Sequence, residues 1–196
     1  AIGAGLDIFK PRGNMVIDMG GGTSDIAILS LGDIVSSQSI RMAGDKMNSD
    51  IASYIKNKHG LVIGEHTAEK IKMELGTALR VDDPETMDVR GRDVATGMPK
   101  QITVNENEIE EALHDTLEQI VSAAVNVLET IPPELASDII DRGIMLTGGT
   151  SLLKGVDQLF SARLKVPVVV SQDPLDNVAK GAGEMLERMQ KTERKK

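Results

Sequence analysis

Met15-Val16-Ile17 is a short apolar run that stops at Asp18, and Ile26-Ala27-Ile28-Leu29-Ser30-Leu31 is apolar on both faces. Runs of this kind mark strands inside a sheet that is covered on both sides. They flank Gly20-Gly21-Gly22 and predict a hairpin; Gly32-Asp33 marks a second turn, and Ile34 to Met42 alternates well enough to extend the meander by a third strand. The period then lengthens. Met47, Ile51 and Ile55 predict a helix capped by Asp45 and running through Lys58, with Gly60 in the C-cap position. Thr67 predicts the start of a second helix ending near Gly76, with an incomplete capping box because Lys70 stands where an acid or amide belongs. Met87 to Arg92 and Lys100 to Val104 read as short strands separated by Gly97-Met98-Pro99. Asn105 opens the strongest helical pattern, in which Ile109, Leu113, Leu117, Ile120, Ala124 and Val127 recur until Pro132-Pro133 stops it. A short helix over Leu135 to Ile140, a strand from Gly143 to Leu146, a helix from Leu152 to Leu164, a strand from Pro167 to Val170 and a helix from Val178 to Met189 complete the pattern.

Alternation of this kind predicts an α/β fold with a mixed sheet and flanking helices. The acidic turn Asp82-Asp83-Pro84-Glu85 and the two short strands after it change the character of the chain. They predict a small α+β lobe, residues 64–140, inserted into a sheet domain made of residues 1–63 and 141–196. With 196 residues, 40% of them hydrophobic, the chain is long enough to bury a sizeable core. Its formal net charge of −8 and aromatic content of 2% argue against nucleic acid as a partner, which calls for a basic face or stacking rings. Only Lys191 to Lys196 is locally basic, and it reads as a solvated end. The absence of Cys excludes a disulfide scaffold and Cys-based zinc sites and fits a cytoplasmic setting. No apolar stretch approaches the roughly 20 residues of a membrane span, and Ala1 to Gly5 lacks the basic flank and apolar run of a secretory signal. His59, His66 and His114 are isolated, so solvated or capping roles outweigh metal binding. No G-x-S-x-G elbow or activated Cys offers a nucleophile, and the ten Met residues are scattered as packing residues.

The candidate chemistry lies in Asp18-Met19-Gly20-Gly21-Gly22-Thr23-Ser24-Asp25. Glycines let a backbone approach a ligand closely and take φ > 0, successive N–H groups form an anion-binding concavity, and Asp18 can hold a hydrated divalent cation. A second turn, Thr147-Gly148-Gly149-Thr150-Ser151, follows a strand and predicts a helix opened by Thr150 or Ser151, whose N-terminus would face a sheet edge. A single Gly-Gly turn is more often a tight connection; two such turns together point to a nucleotide between them. The P-loop is excluded because no Lys follows Gly20 to Gly22, and the dinucleotide fingerprint because a strand, not a helix, follows them. A phosphate hairpin of this kind characterises the actin and sugar-kinase ATPases.

The chain resembles the bacterial actin-like MreB/Mbl family, Mbl in particular. The resemblance rests on Ala1 to Leu6, Asp18 to Asp25, Ile63-Gly64-Glu65, Thr67-Ala68-Glu69, Arg90-Gly91-Arg92, Pro132 to Ala136, Asp141-Arg142-Gly143, Leu146 to Gly149 and Val178 to Gly183. It spans almost the whole chain but only the family's second half. It implies an actin-like ATPase domain with a ribonuclease-H-like sheet and a small inserted lobe. The other phosphate loop, the membrane-inserting elements and an acidic residue at the attacking water belong to the half outside this sequence. Carried over by motif, Asp18 would hold Mg2+ through water, Gly20, Gly21 and Gly22 would cradle the β- and γ-phosphates, and Thr23 would orient the water. Glu69 and Lys72 would meet ribose and adenine, where the residues alone also allow an exposed helix ion pair. Gly148, Gly149 and Thr150 would pack on the adenosine, Thr150 standing where the family usually has a third glycine. Asp25 follows the Mbl-like variant of a position that is often Glu.

The resemblance implies ATP and Mg2+ as ligands and self-association into filaments of the whole protein in the cytoplasm, under the membrane. There it would guide cell-wall synthesis and rod shape, with a RodZ-type membrane partner and without direct membrane insertion by this segment. With half the phosphate clamp outside it, this chain alone is expected to bind ATP weakly and hydrolyse it poorly. The alternatives are a nucleotide-independent assembly or docking module of the same fold and, less favoured, a sugar kinase or heat-shock chaperone ATPase.

Overall fold

The structure is a computed structural model that describes residues 1–193, so the end of the basic tail lies outside the described residues. The hairpin forms as its pattern demands: β1 (Asn14–Met19) and β2 (Ser24–Ser30) are antiparallel, and β3 (Asp33–Ile40) continues the meander. β7 (Ile144–Thr147) then inserts parallel to β1, and β8 (Val168–Val170) parallel to β7, which gives one mixed sheet in the order β3-β2-β1-β7-β8. Parallel neighbours require a long crossover, and everything between β1 and β7 supplies it.

That crossover begins with α1 (Gly44–His59), whose Met47, Ile51 and Ile55 are fully buried against the sheet with Ile17, Ile26 and Ile28. Gly60 closes it in the left-handed conformation expected of a C-cap. The N-cap is Ala43, without a side-chain bond, and Asp45 sits in the first turn; this corrects Asp45 as the cap. α2 (Glu65–Leu75) starts two residues before Thr67, with Gly64 as its N-cap. A second sheet, β4-β5-β6, joins β4 (Leu61–Val62), β5 (Thr86–Asp93) and β6 (Pro99–Asn105). β4 escaped the sequence reading because two residues carry no period. α3 (Glu106–Glu129) follows the predicted apolar stripe, and a capping box between Asn105 and Glu108 fixes its start. It packs on α1 and on β2 and β3, so one continuous core runs beneath both sheets. Each large aliphatic side chain buried there contributes roughly 1.5–3 kcal/mol before entropy is counted.

α4 (Pro133–Arg142) leads into β7. The segment after β7 departs from expectation: a single 3-10 turn, Gly149–Leu152, replaces the start of a helix, and α5 (Val156–Leu164) begins only after Gly155. The cause is a competing pairing. Leu153 is extended, and Lys154 bridges to Thr77, with Ala78 N–H donating to Lys154 O at 2.8 Å and Lys154 N–H to Gly76 O at 3.2 Å. α6 (Asn177–Glu193) closes the described chain. No helix among the described residues is long and apolar enough to cross a membrane.

Candidate functional site

Strand register sets the first half of the site. Asp18 is the Cα partner of Asp25 on one side and of Thr147 on the other, so β1 delivers its carboxylate to the end of the sheet where both glycine turns emerge. Within the first turn, Gly20 N–H donates to Thr23 O at 3.0 Å, which closes the hairpin. The start of α1 then claims the carbonyls: Gly44 N–H donates to Gly20 O at 3.1 Å and Asp45 N–H to Gly21 O at 2.8 Å. Because the C=O and N–H of one trans peptide lie in its plane and point in opposite directions, this turns the Gly21 and Gly22 amides outward. Among the described residues, nothing in the chain accepts from either of them. An exposed turn of unclaimed amides is an anion site in waiting.

None of Gly20, Gly21 and Gly22 has positive φ, so these glycines serve close approach rather than a left-handed backbone. The left-handed glycine is in the second turn. Gly148 has φ +83°, and a Cβ on it would lie 2.4 Å from Met19 O and 2.5 Å from Asp18 Oδ1. The two turns therefore touch, and only a residue without a side chain lets them.

Between them lies a cleft of about 260 Å³ lined by Asp18, Gly20, Thr23, Asp25, Gly148, Gly149, Pro174, Leu175 and Val178. Its polar end holds two carboxylates. Burial, and then the neighbouring Asp25 charge, pushes the Asp18 carboxyl above the usual range. Thr23 is exposed and its hydroxyl donates to Asp25 Oδ2 at 2.9 Å. The other end is apolar, formed by the segment before and at the start of α6, which Gly148 N–H anchors by donating to Pro174 O at 3.0 Å. Asn177 is buried behind it, with its amide 2.7 Å from Thr147 Oγ1 and 2.5 Å from Ser171 Oγ. A cleft with amides and carboxylates at one end and aliphatic surface at the other suits a metal–phosphate group joined to an apolar ring.

The remaining predicted residues stand at the margins. Gly21 and Gly22 form the exposed rim, beside the Asp45 carboxylate. Lys72 is half-buried and donates to Gly44 O at 3.0 Å, behind the first turn. Burial lowers its pKa, while Glu69 and Asp45 act against that. Glu69 is exposed on α2. Thr150 is buried, and its hydroxyl donates to Gly20 O at 2.9 Å rather than facing the cleft. The helix N-terminus expected after Gly149 is absent, because that segment is the 3-10 turn; the N-terminus beside the glycines belongs to α1. Sequence reasoning missed Gly44, Pro174 and Leu175. The small pair Ala43-Gly44 between a strand and a helix was the available signal for the first; nothing marked the other two. Among the described residues, no group of three or more His, Cys, Asp or Glu could hold a metal ion by protein ligands alone.

The model of the MreB/Mbl protein family matches residues 1–194. The cell shape-determining protein Mbl of Bacillus subtilis is 54% identical over the whole chain, which covers 59% of that protein. Cell shape-determining protein MreB of Escherichia coli is 49% identical over 95% of the chain and 54% of its own length. Among solved structures, MreB5 of Spiroplasma citri bound to AMPPNP superposes with a TM-score of 0.96 at 36% identity, covering all of this chain and 59% of that one. The chain thus spans less than two thirds of the relatives it matches, and the fold is actin-like.

Proposed function

Because this chain belongs to the MreB/Mbl family, we propose that its cleft binds ATP with Mg2+ and that it forms the nucleotide-binding second half of a cell-shape protein that assembles into filaments. One observation carries this reading: the Asp18 carboxylate, Gly20 of the first glycine turn and the Gly148 turn line one cleft with an apolar far wall, and the unclaimed Gly21 and Gly22 amides stand on the exposed rim of that first turn. The nucleotide-bound MreB5 structure supports it from outside, as a likeness in fold and sequence.

In this reading Asp18 holds Mg2+ through water, and the Gly20 to Gly22 backbone receives the β- and γ-phosphates. Thr23, oriented by Asp25, positions a water. Glu69 and Lys72 lie toward the ribose and adenine, with Gly148 and Gly149 beneath the adenosine and Thr150 behind them. A bound Mg2+-triphosphate supplies a terminal phosphoryl group open to attack by water; the residues here bind, orient and neutralise charge. The pKa of Asp18 fits that role, since a carboxylate that is costly to ionise is relieved by a cation. Residues 1–63 with 141–196 act as the sheet domain and 64–140 as the inserted lobe, joined through the shared α3 core. The whole protein would work in the cytoplasm under the membrane, guiding wall synthesis with a RodZ-type partner.

Calorimetry with Mg-ATP tests the reading. We expect weak binding, at least tenfold weaker in Asp18→Ala, a loss of the size of one charge-assisted contact. No heat at millimolar ATP would instead favour the nucleotide-independent docking module.

A further inference from the structure

The loop beneath the cleft contains a tie that neither strand pairing nor helix formation requires. Gly20 O accepts two hydrogen bonds, from Gly44 N–H at 3.1 Å and from the Thr150 hydroxyl at 2.9 Å. Thr150 and Gly20 are separated by 130 residues, and Thr150 is only 5% exposed. Lys72 Nζ closes the same knot from α2 by donating to Gly44 O. The packing leaves no slack: a Cβ on Gly44 would lie 3.2 Å from Lys72 Nζ, 3.2 Å from Thr150 Oγ1 and 3.3 Å from Gly20 O. Both lone pairs of one carbonyl are thus committed, one to α1 and one to the second glycine turn.

We infer that Thr150 is a positioning residue for the phosphate turn, its hydroxyl holding the Gly20 carbonyl so that the Gly21 amide stays turned outward at the rim of the cleft. The peptide that begins at Gly20 C=O ends at Gly21 N–H, and fixing one end fixes the other. Thr150 acts through Gly20 and does not touch the ligand itself. Removing the hydroxyl leaves Gly20 O held by Gly44 alone and frees the turn to rock about that single bond. A side-chain hydroxyl is required because the 3-10 turn directs its own backbone bonds inward: Ser151 N–H donates to Gly148 O and Leu153 N–H to Thr150 O.

The inference rests on the nucleotide reading for its consequence but not for its geometry, and two measurements separate them. Amide hydrogen exchange on the ligand-free chain compares the wild type with Thr150→Val, which keeps the shape, and Thr150→Ser, which keeps the hydroxyl. We expect Thr150→Val to speed exchange at Gly44 and Asp45 by about three- to tenfold, the worth of one hydrogen bond, with Ile51 and Ile55 unchanged and Thr150→Ser close to wild type. Equal exchange at Gly44 in Thr150→Val and wild type would overturn the tie. Calorimetry with Mg-ATP should then give about three- to tenfold weaker binding for Thr150→Val, restored by Thr150→Ser. Unchanged affinity in Thr150→Val beside a binding wild type would overturn the link from tie to ligand. A wild-type chain that takes up no Mg-ATP would instead sink the nucleotide reading, with the exchange data still deciding the tie.

Discussion

Two hairpins of this molecule have turns rich in backbone amides, and they treat those amides in opposite ways. At the β5–β6 turn the Asp93 carboxylate accepts from Ala95 N–H at 3.0 Å, Thr96 N–H at 2.9 Å and the Thr96 hydroxyl, and Lys100 pairs with it at 2.9 Å. The turn supplies its own anion, and Lys100 together with these bonds holds the Asp93 carboxyl down at about 2. At the β1–β2 turn Asp18 and Asp25 stand in the strands and Asp45 stands beside Gly21 at the start of α1, and none of the three accepts from Gly21 or Gly22. There the carbonyls are claimed by α1 and the amides are left outward, while the Asp18 carboxyl is pushed up rather than down. A turn becomes a site when the chain satisfies its carbonyls but not its donors.

The largest expected break in this contrast is at glycine. Gly148 and Gly97 both have positive φ, but a Cβ on Gly148 collides with backbone and one on Gly97 meets nothing within 4 Å. Gly148→Ala should therefore cost about 3 kcal/mol or more in urea denaturation and close the cleft, against about 1–2 kcal/mol for Gly97→Ala, which adds only left-handed backbone strain. Next in size is Asp93→Ala, which strips the β5–β6 turn of its internal anion. Faster amide exchange at Ala95 and Thr96 would register the loss. The sign follows from a depressed pKa: the Asp93 contribution is present above the ordinary carboxylate range and disappears only as pH falls through about 2. The smallest effect is Asp18→Asn. A raised folded pKa favours the fold below the unfolded pKa, and that benefit is lost as pH rises through the folded value. The variant should therefore melt slightly higher than wild type at pH 7, by less than about 1 kcal/mol because Asp18 is half solvated, and the gap should shrink toward pH 3.

The elements with a long period were legible. Met47, Ile51 and Ile55 placed α1, and Ile109 through Val127 placed α3, because tertiary packing follows the same stripe that the sequence displays. Both glycine turns were legible as turns, and residues of both line one cleft. What escaped depended on partners distant in the chain. The helix expected from Leu152 is pre-empted by the pairing of Lys154 with Thr77, and no local propensity registers a bridge across that distance. Asp45 has the right residue type for a cap, but the glycine turn accepts from Gly44 N–H and Asp45 N–H, so the helix opens at Ala43 and Asp45 falls inside its first turn. Thr150 was expected against a ligand, and the structure sends its hydroxyl to Gly20, a contact that becomes visible only once β7 lies beside β1.

The central place of β1 in its sheet has a consequence during biosynthesis. β2 is available to β1 as soon as the hairpin leaves the ribosome, whereas the other edge of β1 has no partner until β7, more than a hundred residues later in the chain. At ordinary elongation rates that interval is roughly ten seconds. Through it the nascent chain carries a bare strand edge of Val, Ile and Met, the kind of edge on which other unfinished chains can dock.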